Sequence, residues 1–527
     1  MKERLITSLI AAIVMAGLKA EVPVGIPKLI VGVTIDQLRN EYIEAFSSLY
    51  GTKGFKRLQK EARIYLSTEY PYIPTDIASS ISTIYTGTVP SVHGIVGSQW
   101  LDRKTLRPIK ATDDRSFIGY FTSESTSPQN LLASSVTDEL KQATSGKGLV
   151  YSISPSREVA VFSAGHIADG AFWLNDETGK WSGSTYYGSF PYWLSKYNDT
   201  QALDLRIKGR TWYPSLPTTD YQHLPLPSSQ SDFQYTFSDY KSEQYKRFKE
   251  TPLVNDEVNR LFEYLLEHTE VGKDNVPDMI TLSYYAGTLS GKESASTTLE
   301  IQDAYVRVDK SLGELIDLID KKVGLQNTLF LLTGTPSKHV FEAPRTNQKI
   351  PAGEFHMQRC VALLNMYLVA THGEGEYIEA SYRNELFLNR PVIEKKGLAF
   401  NRLQEEISHF ILSMSGVQAV YSSADLRRGV WFPHIENARN NFHPQRSGDI
   451  QIALQPGWSL FNEYDQYTYT AYYGTLSVPV FFFGNGVKPS VIYTPVSIST
   501  IAPTLAGILR IRSPNAAMTS PLWEVMR

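Results

Sequence analysis

The chain has 527 residues, 42% hydrophobic and 20% charged, with a formal net charge of -3. That length can bury a sizeable core, as one large decorated domain or as two to three domains. A near-neutral balance with both signs interspersed disfavours nucleic acid and anionic membrane as partners, and a lone cysteine, Cys360, rules out an intramolecular disulfide.

Met1 to Arg4 makes a short basic start, and Leu5 to Leu18 is an apolar run too short to span a bilayer comfortably. Residues 1–20 are therefore expected to be a secretory signal peptide, cleaved after Ala16 or Ala20. Export to the periplasm or cell envelope follows, with no transmembrane segment after signal removal. Lys28 to Asp36 is a continuous apolar run closed by a carboxylate, which predicts a buried parallel strand that delivers Asp36 at its carboxyl end. Ligands of open α/β sheets sit at that edge.

Thr185 to Thr251 is rich in Tyr, Pro, Ser and Asp without a sustained period, and reads as an irregular insertion. Pro277 to Tyr284 reads as a second buried strand. It precedes a helix whose Ile301, Tyr305, Val308, Leu312, Leu315 and Ile319 share one face. Asn327 to Thr333 is again strand-like, so strand, helix and strand predict a right-handed crossover and an α/β fold with a mostly parallel sheet flanked by helices. A second insertion is expected over 336–445, with an amphipathic stretch from Leu403 to Met414. The chain then returns to a strand at Val478 to Gly484 and a helix from Ile498 to Leu509. The mature domain thus runs over 21–527, decorated at about 185–251 and 336–445 by its pattern of elements.

No G-x-S-x-G, Walker loop or G-x-G-x-x-G is present. Ser79 and Ser80 follow the loop Pro74-Thr-Asp-Ile77 and read as helix-cap residues rather than nucleophiles. His339, His356, His372, His434 and His443 include no pair at i, i+4 or H-x-H spacing, so spacing alone predicts no dedicated metal site. His93 and His166 read as structural histidines and Cys360 as a buried inert thiol. The tyrosines of 213–245 and 464–473 suit packing of insertions onto the core, or else an interface or sugar-stacking surface.

Taken together, the order of motifs resembles the alkaline phosphatase superfamily, in its secreted bacterial phosphomonoesterase branch close to the nucleotide pyrophosphatase/phosphodiesterases. The likeness rests on IVGVTIDQL (30–38), IYTG (84–87), VHGIVG (92–97), AGHIADGAFW (164–173), STYY (184–187), KIPAG (349–353), RSGDI (446–450) and IAPTL (501–505). The resemblance implies two zinc ions held by three Asp and three His around an attacking Thr or Ser. Two cations and a metal-bound alkoxide would offset charge on the attacking and leaving oxygens.

Carried over position by position, the implied nucleophile is Ile77, which has no nucleophilic atom, and Thr75 is the other Thr of that loop. The implied Asp-x-x-Gly-His motif reads Thr288 to Lys292, and the Asp-His pair reads Thr335-Pro336. The last His falls on Ser477 or Thr468, so Asp36 alone survives among the ligand positions. The phosphate-binding Asn is Ser98, and a Lys-x-Arg reads Ser156-Arg157-Glu158, with Arg157 facing the cleft only if the register slips by one. The expectation is a catalytically degenerate binding protein of the envelope, holding no metal or other cofactor and partnered by another envelope protein. A Lys292 to Asp36 ion pair could stand in for metal. An active metal-dependent phosphomonoesterase or phosphodiesterase with relocated ligands is the alternative, and a glycan-binding module a third.

Overall fold

The computed structural model describes residues 25–73, 75–224, 232–289, 298–336, 353–431, 434–462, 467–469 and 476–526. In chain order its main elements begin with β1 (Leu29–Asp36), β2 (Arg63–Tyr70), α1 (Ile77–Thr86), β3 (Val150–Ser154), α2 (Arg157–Ala164), β4 (Gly170–Leu174) and β5 (Trp181–Ser184). They continue with α3 (Gln244–Lys249), α4 (Val254–His268), β6 (Asp278–Tyr285), α5 (Thr298–Lys322), β7 (Thr328–Thr335) and α6 (Met357–His372). After these come β8 (Ile378–Tyr382), β9 (Glu385–Leu388), α7 (Phe400–Leu412), β10 (Val417–Ser422), β11 (Ile450–Leu454), β12 (Leu476–Gly484) and α8 (Ile501–Leu509).

An 11-stranded sheet runs in the order β2-β12-β7-β1-β6-β3-β4-β5, with short strands beyond each end. The strands β7, β1, β6, β3 and β4 are parallel, and β12 is antiparallel to both of its neighbours. This is the mostly parallel α/β sheet that the strand-helix-strand pattern predicts. β1 is apolar over most of its length because both its faces are covered. Its Leu29, Val31, Val33 and Ile35 join a core with α4 and α5, while Ile30 joins the opposite core with α1, α2 and α8. Gly32 is where α1 comes nearest: a Cβ there would lie 2.8 Å from the Tyr85 hydroxyl. The six residues expected on one face of α5 are all buried in the first core.

The described residues of 185–251 form a nine-residue helix (Tyr192–Thr200), short 3-10 turns and two-residue strands ahead of α3. Asp303 on α5 anchors them, accepting from Trp212 Nε1 (2.6 Å), the Ser215 amide (2.7 Å) and the Tyr221 hydroxyl (2.8 Å), beside Arg307 at 2.7 Å. Asp303→Asn replaces an acceptor-only group by one that also donates. We expect this variant to be cut within 185–251 at least about tenfold faster than wild type in limited proteolysis, with the sheet unchanged by circular dichroism.

From Gly353 the chain builds a lobe around an antiparallel sheet in the order β8-β9-β11-β10. α6 and α7 close its own core of Leu364, Leu368, Ile407, Ile411, Ile450 and Ile452. Cys360 lies in that core, and burial pushes its thiol up to about 12, so it is the inert thiol expected. Glu385, at the start of β9, accepts from Gln451 Nε2 (2.9 Å), and burial raises its carboxyl to about 7 from an ordinary 4.5. The folded chain thus holds a proton that the unfolded chain releases near 4.5. This group's contribution to stability is present below that pH and is lost as pH rises towards 7. Urea midpoints from pH 4.5 to 8 should show that decline, and Glu385→Gln should flatten it.

Among the described residues no helix is long and apolar enough to cross a membrane. The expected signal peptide at 1–20 lies outside the described residues.

Candidate functional site

Because β6, β1 and β7 are parallel and in register, their carboxyl ends line up, with Asp36 opposite Tyr285 on one side and Thr335 on the other. The Thr335 hydroxyl donates to Asp36 Oδ1 at 2.5 Å. Gln37, the next residue, turns out of the strand with a left-handed backbone (φ 64°), and its Nε2 donates to the Tyr285 hydroxyl at 3.1 Å. That hydroxyl in turn donates to the Thr288 carbonyl at 2.9 Å. Burial, with help from the nearby Asp36 and Glu250 carboxylates, raises the Tyr285 phenol well above its ordinary range, so it remains a donor.

Beside this edge opens a cleft of about 550 Å³, lined in part by Asp36, Ile77, Ser156, Arg157 and Glu158. Ile77 is the first residue of α1. The residue before it, Asp76, caps the helix: its Oδ1 accepts from the Ala78 amide (2.9 Å) and from Ser98 Oγ (2.7 Å), and Ser79 closes a capping box. Ser79 and Ser80 are fully buried in the first turn; Ser79 serves the cap, as expected, while Ser80 takes no part in it. Asp76 itself had gone unnoticed in the sequence, although Asp-x-x-Ser ahead of an apolar run is a readable cap signal. Its carboxylate fills the place where the helix N-terminus would otherwise receive an anion.

Arg157, the first residue of α2, lines the cleft while only 4% exposed. Its guanidinium meets Asp113 (3.2 Å), Glu124 (3.3 Å) and Glu158 (3.4 Å), so three carboxylates share its charge. Ser156 and Glu158 line the same space. Ser98 is held by Asp76, Thr288 and Thr335 are buried, and Ser477 is exposed on β12 outside the lining. Lys292 lies outside the described residues, and with it the proposed ion pair to Asp36. Sequence reasoning missed the cleft's other charged groups, which come from the hairpin and loop that carry Lys110 and Glu124, from the turn after β4 (Asp176 and Glu177) and from the insertion (Lys246, Lys249 and Glu250). Burial raises the Glu250 carboxyl above its ordinary range, against the pull of Arg247 at 3.1 Å.

The expected structural histidines are placed as such. His93 is buried between Thr83 Oγ1 (3.0 Å) and the Ile95 amide (3.1 Å), and burial lowers it to about 3. His166 bridges Asp138 Oδ2 (2.9 Å) and the Leu131 carbonyl (3.0 Å).

Two zinc ions need carboxylates and imidazoles at these strand ends. The structure instead presents the hydroxyls of Tyr285 and Thr335 beside Asp36, followed by Pro336, and among the described residues no group of three or more His, Cys, Asp or Glu could hold a metal ion. The family's zinc pair does not fit the described residues.

Residues 30–473 match the model of the type I phosphodiesterase / nucleotide pyrophosphatase family, and the chain belongs to that family. It is 27% identical over 529 residues to alkaline phosphatase PafA of Elizabethkingia meningoseptica, covering 95% of this chain and 94% of that one. Alkaline phosphatase PhoV of Synechococcus elongatus is 28% identical, with 95% and 93% covered, and a protein of Myroides odoratus named calcium-transporting ATPase is 30% identical, with 95% of each covered. The crystal structure of wild type PafA matches with a TM-score of 0.85 over 95% of this chain and 99% of that chain, at 27% identity.

These comparisons correct the expectation of a catalytically degenerate binding protein. Relatives along 95% of the chain are named as alkaline phosphatases, which supports the alternative, phosphoric-ester chemistry. At the family's own positions the sequence offers no nucleophile and only Asp36 among the implied ligands. The cleft also gathers charged groups from other parts of the chain.

Proposed function

We propose that the protein is a phosphoric-ester hydrolase acting in the cleft at the carboxyl edge of β1 and β6. The observation that carries this reading is that a cleft lined by Asp36 lies in a chain related to alkaline phosphatases along 95% of its length. Ile77 offers no attacking atom, so the attacking oxygen is that of water. Water adds to phosphorus, the bond to the ester oxygen breaks with its electron pair, and the departing alkoxide takes up a proton. Asp36 is the carboxylate placed to accept the proton of the water. Glu250, whose carboxyl is raised by burial, is the group placed to return one. No step is routed through zinc. Export directed by residues 1–20 belongs to the same proposal.

The test is release of p-nitrophenol from p-nitrophenyl phosphate and bis(p-nitrophenyl) phosphate by the purified full chain, with added zinc and with chelator. Turnover above the blank with either ester supports the reading. No turnover of either ester under both conditions overturns it.

A further inference from the structure

The helix α6 is apolar on two sides. Cys360, Leu364 and Leu368 face the core of the lobe. On the opposite side Ala362, Leu363, Met366, Val369 and Ala370 are all exposed, Met366 to 69%. Their spacing of three and four residues puts them in one stripe along the helix. The neighbouring α7 shows what a solvated helix face looks like, presenting Asn401, Arg402, Glu405 and His409 to water. Single apolar residues on a surface need no explanation, but a continuous stripe on a helix marks a contact. The stripe also reads alike in both directions from Met366. Leu363 and Ala362 precede it by the same distances at which Val369 and Ala370 follow it, and the outermost positions are Arg359 on one side and Gly373, then Glu374, on the other. Arg359 and Glu374 are exposed, and neither enters an ion pair among the described residues.

A surface that complements a reversed copy of itself is what an isologous two-fold interface requires. From this pattern we infer that two copies of the chain associate through α6, with the helices antiparallel across a two-fold axis at Met366. Met366 then meets its own counterpart, and Leu363 meets Val369 of the other copy. Ala362 and Ala370 lie against each other and let the helix axes approach to about 8 Å. Arg359 reaches the carboxyl end of the other α6, where Glu374 and the negative end of the helix dipole receive it. Lys396 stands at that same end, its Nζ 3.4 Å from where a Cβ on Gly373 would lie, and offsets part of the attraction. The charges therefore fix the direction of pairing, and the apolar stripe supplies most of its strength. Two helices of 16 residues, each about 24 Å long, bury less than the roughly 1,200 Å² that marks a stable complex, so the dimer is a weak one with Kd of about 10 to 100 µM. This association is independent of the hydrolase reading.

Sedimentation equilibrium of the purified full chain, from about 1 to about 200 µM, should show monomer passing into dimer with that Kd. Met366→Asp sets two carboxylates against each other on the axis and should weaken the dimer at least about tenfold. Because the side chain is exposed, the variant should melt as wild type does at about 1 µM, where both are monomers. Arg359→Glu should also weaken the dimer about tenfold, since the axis repeats the lost pair twice, and adding Glu374→Arg should return Kd to within about threefold of wild type. Met366→Cys should form a disulfide-linked dimer under mild oxidation at least about tenfold faster than Glu263→Cys, exposed on α4, with Cys360 buried in both. A wild type still monomeric at about 200 µM, a dimer that survives Met366→Asp, or a charge exchange without rescue overturns the inference. So does a Met366→Asp monomer that melts below the wild-type monomer, which would show the stripe to be covered within the chain itself.

Discussion

Asp36→Ala should lower kcat/KM for phosphodiester hydrolysis by about 100-fold or more, the usual scale for losing a group that handles a proton in the transition state. The same change removes the acceptor of the Thr335 hydroxyl and leaves the apolar body of β1 intact. Its cost to stability should be at least about 1 kcal/mol, that of this one hydrogen bond. Asp36→Asn keeps the shape and most of the hydrogen bonding, so it separates the two effects. We expect melting close to wild type with activity as low as in the alanine variant. Equal loss of folding and activity in both variants would show Asp36 to be structural only.

The largest stability effect is expected at Asp449, far from any proton transfer. Its side chain is fully buried, and it accepts from Arg103 Nη1 (3.0 Å), Arg390 Nη2 (2.7 Å) and the Leu388 amide (3.0 Å). Arg103 sits on the hairpin that follows Ser98 and stacks over Phe387 of β9, with 4.9 Å from its guanidinium carbon to the ring centroid. One carboxylate thereby ties the lobe to the hairpin after Ser98, whose hydroxyl donates to the cap of α1. Asp449→Ala leaves the guanidiniums without their counter-charge and should cost about 3 to 5 kcal/mol in urea unfolding, well above the cost of a surface pair. The same lobe also reaches α1 directly, through Arg383 at 3.8 Å from Asp76. Loss of Asp449 should therefore also disturb the cleft, seen as a rise in KM with a smaller change in kcat.

The fold was legible where burial imposes a period. The apolar run of β1 was placed to within a residue of its observed Leu29–Asp36, and the six-residue face of α5 was found whole, because each is buried in a continuous core. The site was legible only along family motifs. Asp36, Ile77 and Ser156 to Glu158 do line the cleft, yet Lys246 and Glu250 come from an insertion with no period to read, and Glu124 reaches Arg157 from a loop far away in sequence. Motif spacing carries no information about such meetings, which tertiary packing alone decides. The same gap explains the mistaken reading of lost function, which treated vacated family positions as an empty site.

The central claim is hydrolysis of a phosphoric ester by water in this cleft. Turnover of bis(p-nitrophenyl) phosphate in ¹⁸O-labelled water, followed by ³¹P NMR, tests it most directly. The account predicts one ¹⁸O in the p-nitrophenyl phosphate product, formed by the wild-type chain and lost in Asp36→Asn. Product without the label would contradict attack by water at phosphorus, and no product at all would contradict the hydrolase reading itself.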